Sequence, residues 1–167
     1  MENIVYDRSF NANEWFTIAM IVIGGYAVWK LPRRFSPPAV LFHLLIGVFF
    51  GLLFDHTIAI PPYDFYDVGD QSKYQLLDVF SYAMYMPFGY IFIYFYELFK
   101  IRTSYLLIAY ILLWSAMGIA VEWLSVLAGI FHYKNGYRIA YSIPVYITVT
   151  CIHLWIYCLL FKKNNVR

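Results

Sequence analysis

Apolar residues fall along this chain in five long runs, roughly 15–29, 39–60, 76–99, 104–131 and 139–161, parted by short polar links. A helix rises about 1.5 Å per residue and a bilayer's hydrocarbon core is about 30 Å thick, so one crossing takes about 20 apolar residues. Four runs reach that length and the first is marginal. Barrel strands would alternate apolar and polar residues over about 10 positions, whereas these runs are continuous. Helices satisfy their own backbone hydrogen bonds in lipid, which is the condition for spanning it. The pattern predicts an all-α, polytopic integral membrane protein: one transmembrane domain over residues 1–167, built as a five-helix bundle.

Composition agrees. Hydrophobic residues make up 62% of the chain and charged residues 13%, against about 45–50% and about 25% in a soluble domain. The net charge of +2 says little, but the placement of cations says more. Lys30, Arg33, Arg34, Lys100, Arg102, Lys162, Lys163 and Arg167 fall on one side, and they are eight of the twelve. Arg8, Lys73, Lys134 and Arg138 fall on the other. Basic residues favour the cytoplasmic ends of helices, so the N-terminus is expected outside and the C-terminus in the cytoplasm. All carboxylates except Glu97 then lie on the outer side or in the outer half. Glu2, Asp7 and Glu14 replace the basic segment of a signal peptide, so the first run reads as a retained anchor. Cys151 and Cys158 would stand about 10.5 Å apart along one helix, too far for a disulfide.

Three links carry distinct signals. Pro32, Pro37 and Pro38 break and restart the helix between the first two runs. Pro61–Tyr74 is acidic and aromatic, with Asp64, Asp67 and Asp70 beside Tyr63, Phe65, Tyr66 and Tyr74, a composition suited to the headgroup zone. Asn135-Gly136 marks a turn between the last two helices.

Polar and small residues recur on helix faces. In the fourth run Ser115, Gly118, Glu122, Ser125 and Gly129 follow spacings of three and four, so they share one face. Ser115, Gly118, Ser125 and Gly129 read as a helix-packing stripe, since small residues permit close approach. The third run offers Asp78, Tyr82, Tyr85, Gly89, Phe92 and Tyr96, with Pro87 expected to kink the helix near Ala83. The second offers Gly47, Gly51 and Asp55, and the fifth Ser142, Tyr146, Thr150, His153 and Tyr157.

Glu122 is the strongest single signal, because an ionisable group at membrane depth is costly and faces the bundle interior with a partner. Asp55, His56, Asp78 and Glu122 all fall toward the outer ends of their helices and form a candidate polar pocket open outward. Each also has a plain structural role: Glu122 pairing with a tyrosine hydroxyl or Arg138, Asp55 and Asp78 serving helix ends, His56 sitting at the interface. His43 and His153 read as hydrogen-bonded packing residues. No spacing supports a metal site, so none is expected, nor any cofactor. No basic stripe supports nucleic-acid binding, and no residue is assigned as catalytic.

Leu77-Asp78-Val79-Phe80 running on to Met86-Pro87, together with Glu122-Trp123 and Gly129-Ile130-Phe131-His132-Tyr133-Lys134-Asn135, resembles small uncharacterised multi-pass membrane proteins of Gram-positive, spore-forming bacteria. The resemblance covers roughly the C-terminal half and implies a bacterial cell-membrane protein without assigning an activity. The leading expectation is a non-enzymatic sensor, accessory or assembly subunit, with the lipid bilayer, another membrane protein or a second copy as partner. A small proton- or cation-coupled transporter, and a membrane-embedded enzyme acting on lipid or cell-wall precursors, are the alternatives.

Overall fold

The structure is a computed structural model that describes residues 10–69 and 80–162. Within them lie five α-helices: α1 Ala12–Lys30, α2 Pro37–Asp55, α3 Met86–Leu98, α4 Ser104–Leu127 and α5 Ser142–Leu160. Two 3₁₀ turns, Tyr82–Tyr85 and Ile139–Tyr141, lead into α3 and α5. Three segments, Pro37–Asp55, Ser104–Leu127 and Ile139–Leu160, are long and apolar enough to cross a membrane.

Beside an aromatic and aliphatic core that includes Phe92, Ile93 and Tyr157, polar side chains are buried and many large apolar ones are exposed. His43, Ser115, Glu122, Ser125, Ser142, Thr150 and His153 are buried, whereas Trp29, Leu45, Phe49, Leu113, Leu127 and Trp155 are exposed. Lipid removes the penalty for showing leucine and keeps the penalty for showing an unpaired polar group. The polar stripes of α4 and α5 therefore turn inward and the remaining faces turn out.

Sequence chemistry sets the helix ends. The α1 start is a capping box: the Asn11 side chain accepts from the Asn13 N–H at 3.1 Å, and Glu14 Oε2 accepts from the Asn11 N–H at 2.7 Å. The side chains of Pro37 and Pro38 suit the first turn of α2, where no intrahelical N–H partner is lost. The expected span 39–60 stops at Asp55, and the apolar stretch beyond it forms turns. The expected fourth span stops at Leu127. Gly129, at φ +81°, closes it: the Gly129 N–H donates to Val126 O at 3.1 Å and the Ile130 N–H to Ser125 O at 2.8 Å. That is a Schellman turn. Gly129 is thus a chain-reversing residue with open space about its Cα, and not part of the packing stripe. Pro87 sits in the first turn of α3, and the irregularity expected near Ala83 is the 3₁₀ turn before it.

Packing follows the small residues. A side chain on Gly47 would collide with the Tyr85 backbone oxygen, one on Gly89 with the His43 backbone oxygen, and one on Gly24 with the Pro87 ring. These contacts press α2 against α3, and α1 against the start of α3. Gly118 lies against the Tyr146 ring, where a side-chain carbon would stand 2.7 Å from it, and Ser115 Oγ meets Thr150 Oγ1 at 3.4 Å, joining α4 to α5.

Two short strands, β1 Tyr66–Val68 and β2 Phe131–Tyr133, pair antiparallel and close one end of the bundle. Their register sets Tyr66 opposite Tyr133, Asp67 opposite His132 and Val68 opposite Phe131. Lys134 Nζ binds Asp64 and Asp67, each at 2.9 Å, and Asn135 Nδ2 donates to Asp64 O at 2.8 Å. The two links read as separate loops are one stitched cap.

Candidate functional site: a capped cavity

Helices α2, α3, α4 and α5 line a partly open cavity of about 200 Å³ under that cap. Phe50, Phe88, Phe92 and Val149 supply apolar wall, Tyr66, Phe131, Tyr133 and Tyr137 close the capped end, and Asp55 and Glu122 are its carboxylates.

Glu122 projects from the inward face of α4, nine-tenths buried. Its Oε1 accepts from the Tyr133 hydroxyl at 2.5 Å and from Ser142 Oγ at 2.6 Å. Oε2 takes neither bond. The Tyr146 hydroxyl lies close enough to interact with the same carboxylate. Arg138, a partner considered from sequence, is exposed. Among the described residues no lysine or arginine forms an ion pair with Glu122.

Asp55 ends α2. Its Oδ1 accepts from the Tyr66 hydroxyl and its Oδ2 from the Tyr82 hydroxyl, both at 2.8 Å. Tyr66 and Tyr133 are cross-strand partners and so project to one face of the cap. One phenol reaches each carboxylate, and this brings Asp55 and Glu122 to the same end of the cavity. Burial, then the adjacent Asp55 charge and hydrogen bond, pushes the Tyr66 hydroxyl well above its ordinary pKa. Burial and the Glu122 bond do the same for Tyr133. Both therefore stay protonated donors. Tyr137 stacks at the same place, 5.2 Å from the Tyr133 ring and 6.1 Å from the Tyr66 ring, and its hydroxyl meets Ser142 Oγ at 2.9 Å.

His153 lines the other end of the cavity. Its Nε2 lies 2.9 Å from Nδ1 of His43, a buried hydrogen bond between α5 and α2. Rings of Phe35, Phe42 and Phe161 surround His43. The two histidines are packing residues, but packed on one another; nothing in their spacing along the chain pairs them.

Of the four residues expected in the pocket, Asp55 and Glu122 line this cavity. His56, the residue after the last of α2, is exposed and does not line the cavity, which corrects its place in the pocket. Asp78 lies outside the described residues, as do Asp70, Lys73 and Tyr74. Within the stripe, Ser115 and Gly118 hold α4 against α5, while Ser125 Oγ donates back to Val121 O at 2.9 Å within its own helix. Sequence reading gave Glu122 a tyrosine hydroxyl as partner without naming it, and Tyr133 supplies it; Tyr66 and Tyr82 were missed as partners of Asp55. No local signal marked them, because the strands that present Tyr66 and Tyr133 are three residues each. Among the described residues no three His, Cys, Asp or Glu side chains converge as metal ligands.

No family model matches this chain, and no curated protein or solved structure matches it.

Proposed function

We propose that this is a non-enzymatic, multi-pass protein of the bacterial cell membrane that binds a small ligand in the capped cavity and acts as a sensor or accessory subunit. One observation carries the reading: a mainly apolar, partly open cavity of about 200 Å³ with two carboxylates and their hydroxyl partners at its capped end. Binding sites have that make-up, an apolar body with a small number of placed polar groups. The carboxylates are held by tyrosine and serine hydroxyls at the capped end, the placed polar groups that fix a ligand's orientation.

Five crossings with the N-terminus outside fit the same picture. Lys30, Arg34, Arg102 and Lys162 lie over rings of Trp29, Tyr94 and Tyr96 at the end of the bundle away from the cap. A cytoplasmic location of that basic end places the cap outside. Cysteine-accessibility labelling in intact cells tests the arrangement: residue 135 is expected to label from outside and residue 102 only after permeabilisation.

The ligand reading is tested with purified protein in lipid nanodiscs and a panel of small apolar and amphiphilic compounds. Saturable thermal stabilisation is expected, and Val149→Phe, which fills the cavity from its wall, is expected to abolish it while the variant stays folded. A panel without a single binder, or equal binding by the variant, would falsify the reading.

A further inference from the structure

We infer that the occupant is an organic monoammonium ion with an apolar body; this rests on the cavity-binding reading above and names its ligand class. A dry cavity of about 150 Å³ accommodates benzene, so one of this size suits an amine of about six to eight carbons.

The charge argument starts at Glu122. Its side chain is nine-tenths buried, the Tyr133 and Ser142 hydrogen bonds both end on Oε1, the Tyr146 hydroxyl lies beside the same carboxylate, and among the described residues no cation pairs with it. A carboxylate receiving two donors is being held as an acceptor, and an ionised group at this depth is stabilised most by a partner cation. A carboxylate offers about four acceptor positions, so Glu122 keeps capacity for a further donor beyond these hydroxyls. Asp55 differs, because a tyrosine occupies each of its oxygens. It adds negative field from the same end with both oxygens already bonded by hydroxyls, so the site calls for one ammonium group rather than two.

The walls agree. Tyr66 packs 5.6 Å from Phe131, Tyr137 packs against Tyr66 and Tyr133, and Tyr85 and Tyr146 line the cavity close enough to feel the Glu122 charge. Rings around a carboxylate are how proteins take up alkylammonium ions, since each ring presents a negative face to the cation. Beyond the rings, Phe88, Phe92 and Val149 give the carbon chain an apolar wall. An anion would meet two carboxylates at the capped end, and a neutral alcohol would leave Glu122 without a counter-charge.

Hexylammonium, hexanol and hexanoate separate these cases on nanodisc-embedded protein, with empty nanodiscs subtracted. Emission from Trp114, which lines the cavity, and thermal stabilisation report binding. Hexylammonium is expected to bind at least about tenfold more tightly than hexanol, the scale of one charge-assisted hydrogen bond, and hexanoate not to compete. Glu122→Gln is expected to erase that preference while hexanol binding holds. Tyr133→Phe, which leaves the carboxylate in place, covers the case in which Glu122→Gln fails to fold; it is expected to keep the preference for the ammonium. Equal affinity for alcohol and ammonium, tighter binding of hexanoate, or an undiminished preference in folded Glu122→Gln overturns the proposal while leaving cavity binding intact. Binding by none of the three overturns the proposal, and the wider panel with Val149→Phe then decides whether the cavity reading falls with it.

Discussion

At Gly89 α3 lies tightly against α2 and near α5, and replacing it with alanine has a sign that geometry decides. On an open helix face alanine is favoured over glycine by about 1 kcal/mol. At Gly89 the added Cβ would overlap the His43 backbone oxygen, stand 3.0 Å from Ile46 Cγ2 and reach 3.4 Å from His153 Cε1. Ile46 can turn slightly, but a backbone oxygen moves only with its helix. Overpacking of this kind costs about 1–3 kcal/mol, and a backbone obstacle belongs at the upper end. After subtracting the propensity gain, Gly89→Ala should destabilise by about 1–2 kcal/mol. Gly25 supplies the control: it is interior to α1 and nothing lies within 4 Å of its added Cβ. Gly25→Ala should be neutral or stabilising by up to about 1 kcal/mol. Reversible unfolding in mixed micelles, followed by tryptophan fluorescence, measures both variants against the parent. If Gly89→Ala matches or exceeds Gly25→Ala in stability, the close helix approach described here is wrong.

Three further outcomes are expected. Gly129→Ala, forced to φ +81°, should lose about 1 kcal/mol in the same assay, with Gly129→Asn losing less. His43→Leu and His153→Leu should each cost about 1–3 kcal/mol by stranding a buried imidazole, and the double variant should cost clearly less than their sum; additive losses would deny the hydrogen bond. Lys134 is held above lysine's ordinary pKa: burial works against its charge, but the bonds to Asp64 and Asp67 outweigh burial. A raised folded-state value means that its contribution is whole below pH 10.5 and fades as pH climbs through the elevated value. The stability gap between the parent and Lys134→Met should therefore stay level from neutral pH upward and narrow only in that alkaline window.

Legibility differed by element. Helices were readable because apolar runs record length, and the inward stripes of α4 and α5 were readable because polar residues at helical spacing have one economical direction to face in lipid. Ends were less readable: hydropathy runs on through Thr57–Ile60 and through Ala128–Phe131, where backbone geometry and not polarity stops the helix. The cap was invisible for another reason. Three-residue strands are shorter than the alternation needed to signal a strand, and their partners stand more than sixty positions apart. Asp55 and Glu122 could be nominated by depth, but what holds them, a phenol from each strand, depends on a pairing that no local pattern records. The α1 capping box was signalled by Asn11 and Glu14 and went unread because the run was counted from Trp15.

The ladder between Tyr66–Val68 and Phe131–Tyr133 has a period of two, so what faces the carboxylates depends on counting as much as on composition. Adding a single residue between Ile130 and Phe131 rotates every following side chain of that strand by half a turn. A histidine then takes the place of the Tyr133 phenol, and Glu122 loses a donor although no site residue has been replaced. Length in this segment is therefore guarded more strictly than identity. Insertions and deletions there should be far less tolerated than substitutions at the exposed positions beside them.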